Sequence, residues 1–217
     1  MARKQGPEHT LERLIFFSDA VFAIAITLLI IEIHVPELPR GLSDAAYLQA
    51  LANLTPNFVG FMVSFWVIGM FWMGHHRLFG LAARQGPSIV GWNLFLLGSI
   101  AFMPFSTAFL SAHTGDRVPT IFYCLSLLLT ALLNVRVGRI VTSPPMIDES
   151  VSAEHIAYVR ARGLSVALGA ALALVMAFII PGISQAALIS IPLWRFLLTR
   201  WIGRGAKPGA RAKGSAG

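Results

Sequence analysis

The sequence predicts an all-α integral membrane protein of six transmembrane helices with both termini cytoplasmic. Composition, the length of the apolar stretches and the placement of the basic residues predict it. Apolar residues make up 56% of the 217 positions before the 19 glycines are counted, whereas apolar residues and glycine together average roughly 45–50% of soluble domains. Charged residues are only 12% and mean hydropathy is +0.70, too few solvating groups to cover a water-facing surface. The apolar residues gather in six stretches, each near the ~20 residues a spanning helix needs. Finally, when six spans are drawn, all but two of the 17 Lys and Arg residues fall on one side. Cytoplasmic loops carry that excess.

A single six-helix domain is expected over 1–203, with a basic tail over 204–217. The first helix, about 14–34, holds the run from Leu14 to Ile33, which is too long for a signal peptide and is followed by HVPELPRG with no Ala-x-Ala-like cleavage site there. The second, 56–76, is built on Phe58 to Met73 and extends to His76. The third, 88–110, carries Pro104; the fourth, 117–141, is uninterrupted. The fifth, 162–181, stops at Pro181-Gly182, and the sixth, 184–202, contains Pro192. A proline inside a helix removes a backbone hydrogen bond, so kinks are expected at Pro104 and Pro192. The tail has almost nothing apolar to bury, and disorder is expected there.

Charge sharpens the two faces. The outer side holds only Arg40 and Arg117 against Glu32, Glu37, Asp44 and Asp116, a net negative surface that attracts cations. The basic residues punctuate apolar runs instead of clustering on a soluble face, so no nucleic-acid partner is expected. Cys124 is the single cysteine, which excludes an intramolecular disulfide and a Cys-x-x-Cys metal site. His75 and His76 point about 100° apart on a helix, with no Cys or carboxylate at ligand spacing beside them. No metal or cofactor is expected, and no nucleophile, base and orienter set suggests an enzyme.

Asp19 is the informative exception. An ionised Asp within a spanning helix costs about 2.5–3.5 kcal/mol at the helix centre, so it needs a partner or a function. It closes the string Arg13-Leu-Ile-Phe-Phe17-Ser18-Asp19, followed by AVFAIAITLLIIEI. Arg13, Phe17, Ser18 and Asp19 match the Arg-x-x-x-Phe-Ser-Asp signature of the transmembrane protein 175 potassium-channel family. Trp72 with His75-His76-Arg77, and Trp92-Asn93 leading to Pro104-Phe105, are similar to the family's second and third helices. On these residues the chain resembles a prokaryotic member. The resemblance implies a potassium-preferring cation channel in the prokaryotic plasma membrane, a homotetramer whose central pore is lined by the first helix and whose permeant ion is potassium.

The family's pore lining falls here on Ile24, Leu28 and Ile31, with Thr27 as a polar neighbour. Spacing agrees independently: at about 100° per residue, Leu28, Ile31 and Thr27 lie about 40°, −20° and −60° from Ile24. The same stripe would also suit ordinary helix packing. Ser18 and Asp19 point away from that face, into the subunit. Depth places Arg13, Ser18, Asp19, Trp72, one of His75 and His76, and Asn93 at one level, where a polar network would neutralise the carboxylate. Glu32 at the outer end either forms a ring of carboxylates or snorkels to water. No TVGYG-type filter loop is present, so selectivity would rest on a hydrophobic constriction that dewets and favours the more weakly hydrated ion. The alternative is a secondary transporter of cations or protons, which would need a midplane site and repeats.

Overall fold

The structure, a computed structural model, describes residues 7–84 and 86–205. Eight helical segments follow in order: α1 (Pro7–Ile31), α2 (Asp44–Asn53), α3 (Thr55–Phe79), α4 (Pro87–Ala112), α5 (Arg117–Val141), α6 (Ala153–Ile179), a 3-10 segment (Pro181–Ser190) and α7 (Ile191–Gly205). Six of the spans they form are long and apolar enough to cross a membrane: His9–Ile31, Thr55–Phe79, Pro87–Ala112, Arg117–Val141, Ala153–Ile179 and Pro181–Trp201. Helices are the form expected, because backbone groups in hydrocarbon must be satisfied within their own segment. The protein is an all-α, multi-pass membrane protein.

Several boundaries differ from the sequence expectation. α1 starts at Pro7 and ends at Ile31, against the expected 14–34. α6 begins nine residues before 162, because Ser152 caps it: its Oγ accepts from the His155 backbone N–H at 3.2 Å, and Glu154 complements the dipole in the first turn. Apolarity alone misses such a polar first turn. The sixth span is not one α-helix over 184–202, since Pro181–Ser190 is 3-10 and the α-helix starts only at Ile191. Pro192 therefore falls where the 3-10 segment passes into α7, inside the Pro181–Trp201 span. Pro104 does lie within α4. The short α2 was not expected; Ser43 caps it through Ala46 and none of its residues is buried. Of the basic tail, residues 206–217 lie outside the described residues, as do Arg3 and Lys4.

α1, α3 and α4 pack against one another, α4 joins α5, and α5 packs on α6, which carries the 3-10 segment and α7. The core runs through Phe22, Ile68, Leu96, Ile100, Met103, Tyr123 and Leu127. Small residues set the close approaches. Ala167, Gly169, Ala170, Ala173 and Ala177 form the buried stripe of α6, and a Cβ at Gly169 would meet Ile191 Cγ1 at 2.5 Å. At the α3–α4 crossing, a Cβ at Gly60 would collide with Ser111 Oγ. Backbone approach at small residues is how helices gain contact in lipid, where no hydrophobic drive separates helix from hydrocarbon. At the other end, Ala83 N–H donates to the Met146 carbonyl and Asp148 N–H to that of Leu81, tying the α3–α4 linker to the α5–α6 linker.

Candidate functional site

α1 is two-faced in an unusual sense, because both faces are apolar. Leu11, Leu14, Ser18, Phe22, Ala25 and Leu29 are buried, at spacings of three and four that place them on one stripe. The opposite stripe is open: Ile24 is 58% exposed, Leu28 39% and Ile31 67%, with Thr27 exposed beside them. The most apolar span of the six, with a mean hydropathy of 2.6, therefore leaves half its circumference uncovered by its own chain. Thr27 Oγ1 donates to the Ile24 carbonyl at 2.9 Å. Its proton is used within the helix, so the face it shares receives oxygen lone pairs, which suit a cation.

The buried stripe is fixed by polar bonds. Trp72 Nε1–H on α3 donates to Asp19 Oδ1 at 2.8 Å. One residue earlier, Ser18 Oγ–H donates to the Leu14 carbonyl at 2.8 Å and accepts from Asn93 Nδ2 of α4 at 2.9 Å. Asn93 Oδ1 is then left to accept, and it does so from His75 Nε2 at 2.8 Å. The direction of the chain thus assigns the His75 proton to Nε2. Ser18, His75 and Asn93 are fully buried, so leaving any one without its partner costs about 1–3 kcal/mol.

The His75 ring is held by packing as well. It stacks on Phe79 with centroids 4.3 Å apart and meets Phe22 of α1 at 5.4 Å. Its Nδ1 has no partner among the described residues. His76 stays outside the bonded chain and lies against the Trp72 ring at 5.7 Å.

Of the signature residues, Ser18 and Asp19 enter this network, while Arg13 and Phe17 stand on the exposed face; Arg13 makes no ion pair with Asp19 among the described residues. Residue depth alone had grouped Arg13 with the network; its azimuth on α1 turns it away. Glu32 is the first residue beyond α1 and is half-buried.

A second buried polar cluster joins α3, α4 and α5: Thr107 Oγ1 lies 2.7 Å from Ser64 Oγ, which lies 3.3 Å from Tyr123 Oη. Sequence reasoning missed it, although polar residues within three apolar runs were the available signal. Together the two clusters lock α3 and α4 at two levels and make them a rigid backing for α1.

The fold and this site define a multi-pass helical membrane protein whose first span is pinned on one side and bare on the other. Residues 13–104 match the family described as endosomal/lysosomal potassium channel TMEM175. A protein of Chamaesiphon minutus named a potassium channel is 39% identical over 126 residues, 57% of this chain and 62% of that one. One from Streptomyces collinus, also named a potassium channel, is 41% identical over 102 residues, 46% of this chain and 47% of that one. The aligned stretches thus span about half to three-fifths of these relatives. The crystal structure of a lysosomal potassium-selective channel TMEM175 homolog from Chamaesiphon minutus superposes with a TM-score of 0.74 at 28% identity, covering 88% of this chain and 98% of that one.

Proposed function

We propose that this protein is a potassium-preferring cation channel of the prokaryotic plasma membrane, a homotetramer with both termini cytoplasmic and a central pore lined by α1. It needs no cofactor or metal and is not an enzyme. The observation that carries the reading is the open face of α1, where Ile24, Leu28 and Ile31 are exposed while the opposite face is bonded to α3 and α4. One such helix encloses nothing, but cyclic symmetry brings the same face of four copies to one axis. The relatives named potassium channels support the choice of ion.

In this arrangement the aliphatic side chains form the constriction, with Thr27 lone pairs between them. A narrow apolar ring excludes bulk water and makes an ion shed part of its hydration shell. Potassium sheds it more readily than sodium, so selectivity is real but modest. The outer acidic residues raise the local cation concentration at the mouth. The test is ion flux from liposomes holding the purified protein: potassium should leave faster than sodium, and equal rates of both ions at the level of empty vesicles would contradict the reading.

A further inference from the structure

α3, α5, α6 and α7 leave between them a cleft of about 1260 Å³, larger than the roughly 300–1,000 Å³ of a small-molecule pocket. Along α3 it reaches from Val63 to Arg77, about 21 Å at 1.5 Å per residue, more than the roughly 15 Å depth of one leaflet of hydrocarbon. Its long wall is apolar, with Met70, Leu164 and Ile189 among the lining residues. Gly74 lines it too, and a Cβ there would meet nothing within 4 Å. The groove is therefore open where an extended chain would lie.

One end of the cleft is cationic. Five arginines line it, and one of them, Arg160, is already committed: its guanidinium donates to Thr142 Oγ1 at 2.8 Å, to the Thr142 carbonyl at 2.9 Å and to Ser143 Oγ at 3.1 Å. Arg77 and Arg195 stand within electrostatic range of the half-buried Arg162. None of these three is paired with a carboxylate among the described residues, whose acid–base contact is His9 with Glu12. Three like charges brought together at the border of an apolar groove repel one another unless an anion sits among them.

We infer that this cleft binds an anionic glycerophospholipid, its acyl chain along the apolar wall and its phosphate among Arg77, Arg162 and Arg195. A long apolar groove ending in unpaired guanidinium groups matches both parts of such a molecule, and Arg suits phosphate through its planar fork of donors. A basic pocket between transmembrane helices is a recognised form of headgroup site.

Native mass spectrometry of the full-length protein in detergent tests this, with phosphatidylglycerol and phosphatidylcholine of identical chains added in turn. The expected result is retention of phosphatidylglycerol about tenfold or more above phosphatidylcholine, lost in the triple variant Arg77→Gln, Arg162→Gln, Arg195→Gln and largely kept in the corresponding triple Lys variant. Equal retention of the two lipids by the wild type overturns the inference, as does a preference unchanged in the Gln variant. If the Gln variant does not fold, the wild-type comparison and the Lys variant decide. Displacement of the bound lipid by millimolar inorganic phosphate would assign the arginines to a free anion instead, and disulfide cross-linking between copies through Met70→Cys would assign the cleft to a second copy of the chain.

Discussion

Trp72 donates its indole N–H to the Asp19 carboxylate at 2.8 Å, joining α3 to α1 one residue from the point where Ser18 meets Asn93 of α4. The bond does two things at once. It gives an intramembrane carboxylate a donor, and it fixes the rotation of α1 about its axis, which decides whether Ile24 or Phe22 faces outward. Trp72→Phe keeps an aromatic ring and removes the donor, and should destabilise the protein by about 1–2 kcal/mol. Thermal melting in detergent checks it. Asp19→Asn retains an acceptor and should melt closer to wild type than Asp19→Leu.

Asn93 bridges two partners, so its loss should cost more. Asn93→Leu leaves Ser18 without its donor and His75 Nε2 without its acceptor, both fully buried. The expected loss is about 2–4 kcal/mol, two unsatisfied groups at about 1–3 kcal/mol each with part regained by relaxation. Urea or thermal unfolding of Asn93→Leu beside His75→Phe tests the coupling. Because the residues share one chain, the double variant should lose less than the sum of the singles.

The crossing of α6 and α7 depends on the missing side chain at Gly169. Gly169→Val must push Ile191 aside, an overpacking cost of about 1–3 kcal/mol. Gly98, whose added Cβ would meet nothing within 4 Å, is the control: Gly98→Ala should melt at or slightly above the wild-type temperature, since Ala favours the helix.

The exposed stripe of α1 carries a prediction about conduction. Leu28→Ala should widen the constriction and raise single-channel conductance, while Ala25→Ser, on the buried stripe three residues away, should leave conductance unchanged. Planar-bilayer recording separates them. Equal effects at both positions would mean that the two faces are not functionally distinct.

The polar anchor was legible in the sequence because Ser18, Asp19, His75 and Asn93 are polar residues in runs that otherwise exclude them, and only a partner of the same kind makes that affordable. The exposed stripe was legible as an angle on a helix, although angle alone does not tell a pore from packing. Other features left weaker traces. α2 has no buried residue and too few positions to show a period. The 3-10 segment before α7 has the same apolar composition as an α-helix, and composition does not distinguish the two. Arg13 and Asp19 stand six residues apart on α1, about 9 Å along its axis and about 120° around it, so helix geometry itself separates them. The arginine cluster of the cleft draws Arg77, Arg162 and Arg195 from three helices, a tertiary juxtaposition that charge counting reads only as a basic side of the membrane.

The central claim is that the Ile24 face of α1 surrounds the ion path, and bi-ionic reversal potentials with potassium on one side and sodium on the other test it most directly. Wild-type protein should show a reversal potential favouring potassium, and Ile24→Asn should carry larger currents with the potential moved toward zero. Wild-type selectivity and conductance retained in Ile24→Asn, in protein that still melts as a folded species, would contradict the account.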